Sequence, residues 1–142
     1  MRSALECVSA WSAAMAAQDS DAMNELLHPD FKLIEPEGLP YRGVYEGQEG
    51  WWAFWDTFGK TWTDISISDQ KIFAGQSCEE CAIMMNLSGR SVRSGNAFQT
   101  SLMEYWRFKD GKILEMHPHY RDTQYLSTVE GEQKQSAIIF GS

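Results

Sequence analysis

Four side chains near the end of the chain could do chemistry together. Glu115, His117, His119 and Arg121 recur at every second position, and a strand turns alternate side chains to one face. A carboxylate, two imidazoles and a guanidinium on one face can move protons near neutral pH or hold a polar ligand. Burying such groups costs free energy unless they are paired. The face is therefore either solvated or the wall of a polar pocket. The preceding run places Glu104, Trp106 and Phe108 on one face. Glu104 lies between Leu102 and Trp106 there, a setting that suits a buried carboxyl. The same carboxyl could equally serve as an internal partner for Arg107 or Arg121.

Two histidines and a carboxylate invite a metal reading. The sequence fixes no third ligand, so the expectation is no metal and no cofactor. His119 then acts as an acid, a base or a hydrogen-bonding group. The alternative is that both histidines lie on the outer surface of a sheet. Cys78 and Cys81 form a Cys-x-x-Cys pair in an acidic turn with Glu79 and Glu80. Reactive thiolates need electropositive surroundings, so these are read as plain reduced thiols of a cytoplasmic protein.

Composition narrows the partners. The formal net charge is −8, which disfavours nucleic acid and anionic membrane surfaces. No apolar run is long enough to cross a bilayer, and Glu6 interrupts what would be the apolar part of a signal peptide. A chain of 142 residues, 43% of them hydrophobic, can build one domain with a core. Six tryptophans and seven phenylalanines suit that core or a cavity lining.

The elements that position these groups follow from periodicity. Leu5, Val8, Trp11 and Met15 predict a helix over 3–17. Asp19-Ser20-Asp21 predicts the cap of a second, short helix that ends at His28-Pro29. Phe31 to Glu35 reads as a strand. Trp51, Trp55, Phe58 and Trp62 form an apolar stripe on a helix over 48–60, with Phe54 turned toward a cavity. Strands follow from Asp64 to Gly75, Cys81 to Leu87, Phe98 to Phe108 and Lys112 to Arg121. Lys109-Asp110-Gly111-Lys112 is a hairpin signal between the last two. Thr123 to Val129 predicts a last helical turn, and Ala137-Ile138-Ile139-Phe140 is an apolar tail. Helices first and hairpins after them argue an α+β fold.

Four segments in this order resemble the NTF2-like superfamily, in its SnoaL-like and ketosteroid-isomerase-like branch. They are Trp11-Ser-Ala-Ala-Met-Ala-Ala-Gln-Asp-Ser-Asp21, Phe31-Lys-Leu-Ile-Glu-Pro36, Tyr45-Glu-Gly-Gln-Glu-Gly-Trp-Trp-Ala-Phe54 and Glu104-Tyr-Trp-Arg-Phe-Lys-Asp-Gly-Lys-Ile113. The resemblance implies one domain over 1–142. It implies an α+β cone whose strongly curved, antiparallel (mixed) sheet wraps three N-terminal helices. Glu35, directly before Pro36, is similar to the family's general base. Glu104, three residues before Arg107-Phe108, resembles the acid that donates to a substrate oxyanion. Trp11 stands where such members carry a tyrosine, and its indole N–H can donate. His119 stands where epoxide-hydrolase-like members carry a water-activating aspartate.

The resulting expectation is a pocket for a small hydrophobic molecule. Trp11, Met15, Phe54, Trp55, Phe58, Trp106, His117 and Arg121 would bind it. Glu35, Glu104 and His119 would carry out proton transfer in an isomerisation, cyclisation, dehydration or hydration. The rival is a non-catalytic ligand-binding or association domain. A homodimer is expected, paired through Leu114, Met116 and Tyr120 on the sheet face opposite the histidines.

Overall fold

The structure is a computed structural model and describes residues 1–131. Ser3 and Glu6 close a capping box, each side chain accepting from the other's backbone N–H. This starts α1 (Ala4–Ala17), which buries Cys7, Val8, Trp11 and Ala14. Leu5 lies off that face and is exposed. Gln18 ends α1 in the left-handed region, at φ 54°. The Asp19 side chain accepts from the Ala22 N–H and caps α2 (Ser20–Leu26).

β1 (Leu27–Glu35) follows without a gap. It begins four residues before the expected Phe31. His28-Pro29 lies inside it, where the pairing register shifts. Proline lacks the N–H that a regular ladder needs, and an irregular step is where a strand tolerates it.

The remaining elements are β2 (Gly43–Glu46), α3 (Gly47–Thr61), β3 (Trp62–Ala74), β4 (Glu80–Ser91), β5 (Ala97–Lys109) and β6 (Lys112–Tyr120). A final helix, α4, covers 123–131. β2 had no counterpart among the sequence expectations, and its four residues are too few to show periodicity. The apolar run Ala137-Ile138-Ile139-Phe140 lies outside the described residues.

The six strands form one mixed, curved, unclosed sheet in the order β2-β1-β6-β5-β4-β3. β1 runs parallel to β6, and the other pairs are antiparallel. Asp110 and Gly111 both take positive φ and form the two-residue turn between β5 and β6. The helices cover the inner face. Trp11 of α1 packs edge-on against Trp51 of α3 at 4.9 Å and against Trp106 of β5 at 6.3 Å.

One irregularity governs which side chains face inward. Arg107 pairs with Glu115, but Phe108 pairs with Ile113. Leu114 is thus the extra residue of a β-bulge. An uninterrupted two-residue hairpin would pair Glu104 with His117 and share one face between them. The bulge moves the register by one, so Glu104 pairs with Pro118 and Leu102 with Tyr120. A one-residue slip exchanges faces. Met116, Pro118 and Tyr120 therefore turn inward, while Glu115, His117 and His119 turn outward. The patch expected to pair two copies is corrected accordingly, because Met116 and Tyr120 belong to the interior.

The approach of α3 to β2 is tight. A Cβ on Gly50 would stand 2.7 Å from the Tyr45 carbonyl carbon and 3.2 Å from its Cα. Alanine has the better helix propensity, by about 1 kcal/mol, but here it would meet backbone. Gly50→Ala should lower stability by roughly 1–3 kcal/mol. Urea unfolding measures this, and a gain in stability would contradict the packing described.

Candidate active site

α1, α3 and the inner face of the sheet enclose a cavity of about 610 Å³. Its polar end is built by three strands. Glu35 closes β1, Glu104 projects from the middle of β5, and Tyr120 ends β6. The walls come from Trp11 and Met15 of α1 and from Trp51, Phe54, Trp55 and Phe58 of α3. Trp106 lies beside Glu104. At the outer edge of the sheet β3 adds Ile65, Ile67 and Gln70 to the lining. Ile67 is 47% exposed, so the cavity reaches the surface there.

Eight of the side chains expected at the site line this cavity: Glu35, Glu104, Trp11, Met15, Phe54, Trp55, Phe58 and Trp106. The other three do not. His117 is on the outer face, where its Nε2 lies 2.7 Å from Glu115 Oε1. Arg107 donates to the other oxygen of Glu115 at 2.7 Å. His119 is exposed on the same outer face, opposite Met103. Arg121 is exposed just beyond β6. The bulge at Leu114 is the physical reason for all three placements. Among the described residues, no three His, Cys, Asp or Glu side chains are grouped closely enough to hold a metal ion.

Glu35 is 4% exposed, and its Oε1 has no hydrogen-bond partner. Burial, and then the charge of nearby Glu104, push its carboxyl up to about 9. Glu104 is raised by burial too, but Trp106 Nε1–H donates to its Oε1 at 2.9 Å and opposes the rise. The two acids titrate as a pair. The Trp106 donor favours the charged form of Glu104, and no donor does the same for Glu35.

A chain of hydrogen bonds supports the third polar group. Trp62 Nε1–H donates to the Tyr41 hydroxyl at 2.9 Å, and Tyr41 donates to the Tyr120 hydroxyl at 3.3 Å. Tyr41 is fully buried. Burial raises the titration of both phenols, so both stay neutral.

Sequence reasoning missed two site donors. Trp51 Nε1 is buried without a partner, although the apolar stripe placed Trp51 in the core. Tyr120 was assigned to the wrong face. Once Glu104 is inside, its neighbours across the hairpin are inside too, but the bulge that selects them has no composition signal.

A curved sheet of this order, with helices over its inner face and a cavity between them, is an NTF2-like fold. An NTF2-like protein from Burkholderia thailandensis matches with a TM-score of 0.79 at 21% identity, over 95% of this chain and 99% of that one. A family model described as a SnoaL-like domain matches residues 8–116, and the chain belongs to that family. A candidate polyketide cyclase from Pseudomonas putida matches with a TM-score of 0.71 at 17% identity, over 87% of this chain and 96% of that one. A protein of ketosteroid isomerase-like fold from Catenulispora acidiphila, in complex with trimethylamine, matches at 0.65 and 16% identity, over 81% and 85%. No curated protein matches the chain. The SnoaL-like family, with a polyketide cyclase among these structural neighbours by name, is of a small-molecule-binding, cyclase type. No described helix is long and apolar enough to cross a membrane.

Glu35 links the site to stability. Its folded value of about 9 lies above the ordinary 4.5, so folding takes up a proton between these values. The contribution is fully present below 4.5 and is lost as pH rises toward 9. Glu35→Gln should therefore melt several degrees above the parent at about pH 8, with the gap closing near pH 4. Thermal unfolding followed by circular dichroism measures this. Parallel pH profiles would mean that Glu35 ionises freely.

Proposed function

We propose that the protein is an enzyme of general acid–base catalysis acting on a small, largely apolar, ring-sized metabolite with a carbonyl group. The observation that carries this reading is Glu35, a buried carboxyl with one unpartnered oxygen lining an aromatic cavity. A carboxyl that titrates above neutrality and has no internal partner is available to exchange a proton with a ligand. Once ionised, Glu35 removes a proton from the carbon next to the carbonyl. The C–H electron pair moves into the carbonyl and places charge on its oxygen. Tyr120 accepts from Tyr41, which leaves its own O–H to donate to that oxygen. Glu35 then returns the proton to carbon, at the same or a neighbouring position. Glu104, tethered by Trp106, sets the negative potential against which Glu35 holds its proton.

This reading keeps Glu35 as the proton carrier and moves Glu104 from oxyanion donor to the acid whose charge tunes Glu35. Tyr120 and the unpartnered Trp51 N–H supply the donors expected of Trp11. His119 has no part in it, because it is exposed on the outer face.

Hydrogen–deuterium exchange next to the carbonyl of small cyclic ketones, followed by NMR, tests the proposal before the natural substrate is identified. The protein should accelerate exchange, and the rate should rise with pH as Glu35 ionises toward about 9. Glu35→Gln should lower the rate roughly 10²-fold or more while the circular dichroism spectrum is unchanged. Equal exchange by both proteins would remove Glu35 from the mechanism.

A further inference from the structure

The charge balance of the cavity is one-sided. Two carboxyls line it, and no lysine, arginine or histidine does. The titratable groups facing Glu35 from neighbouring elements are Glu104 on β5, Tyr120 on β6, Tyr41 before β2 and Tyr45 on β2. None of them can carry positive charge. The other boundary is aromatic. Trp55 stacks on Trp51 at 5.7 Å and on Phe58 at 5.6 Å, and Trp11 meets Trp51 edge-on. Aromatic ring faces attract organic cations.

We propose that the cavity recognises an organic cation: a protonated or quaternary amine carried on a compact apolar body, bound between the aromatic wall and the Glu35/Glu104 pair. The inference rests on the acid–base reading of the same cavity and names the charge class of its ligand.

A neutral ligand can accept a hydrogen bond from Glu35 but does not help either carboxyl to ionise. An anionic ligand opposes the ionisation of both. A cation is attracted by both acids and favours their charged forms. Its binding therefore drives the proton off Glu35. At neutral pH Glu35 is in its acid form, which cannot take a proton. A cationic substrate converts that acid into the base that the reaction needs at a pH below that at which Glu35 ionises alone. The unpartnered Trp51 N–H then meets a polar atom elsewhere on the same ligand.

The test compares two probes of the same shape. Phenyltrimethylammonium is the cation, and tert-butylbenzene is its uncharged counterpart. Binding to the full-length protein is followed by tryptophan fluorescence and by calorimetry from about pH 6 to about pH 9, across the range in which Glu35 gives up its proton. Proton release is measured in weak buffer. The expected result is roughly tenfold or more tighter binding of the cation at about pH 8. Its affinity should fall toward the acid end of the range, and protons should be released on binding. Glu35→Gln and Glu104→Gln, checked for native melting, should each shrink the preference, and the double variant should abolish it.

Equal or tighter binding of tert-butylbenzene would overturn the charge assignment and leave the cavity as a site for neutral ligands. A cation preference that survives in the double variant would overturn the role of the carboxyls. Binding of neither probe would overturn the cation site. The acid–base reading stands or falls separately, on ketone exchange by the parent and Glu35→Gln.

Discussion

The arrangement of the site depends on one extra residue. Leu114 interrupts the ladder between β5 and β6, and everything C-terminal to it on β6 is turned over by one position. Without that step the histidines would share the cavity with Glu104, and Tyr120 would face outward. With it, the polar end of the cavity holds two carboxyls and a phenol. The outer face receives a network in which Glu115 meets the Arg107 guanidinium on one oxygen and the His117 ring on the other. A bulge of this kind changes the chemistry of a pocket by choosing which side chains of the strand face it.

The aromatic packing makes the buried acids tolerable. A carboxyl taken from water stays neutral or finds donors, because a bare charge in an apolar interior is too costly. Glu104 finds the Trp106 indole. Glu35 remains protonated. Around them, Trp11, Trp51, Phe54 and Phe58 contact one another edge-on or tilted. This gives the cavity firm walls, which matters because a proton carrier is useful only if a ligand meets it in a fixed geometry.

Much of this was legible in the residues. The spacing in α1, the capping signal at Asp19, the stripe on α3 and the Asp110-Gly111 turn each marked an element correctly, because each depends on local chemistry. The pairing of Glu35 and Glu104 in one cavity came from the order of motifs, not from periodicity. Three features were not legible. Pro29 marked a boundary by its local preference, but the strand tolerates it at an irregular step. β2 is too short to carry a pattern. The bulge at Leu114 depends on how a whole hairpin fits the curvature of the sheet, and no window of residues states it. The misplacement of His117, His119 and Arg121 follows from that one omission.

The line from Trp62 through Tyr41 to Tyr120 has a direction. An indole N–H can only donate, so the Tyr41 hydroxyl oxygen receives from Trp62, and Tyr41 donates in turn to Tyr120. The hydroxyls are poled from the buried core toward the cavity, like dipoles aligned by a fixed electrode at one end. The hydroxyl that Tyr120 shows the cavity is thus held by a line of bonds that begins in the buried core.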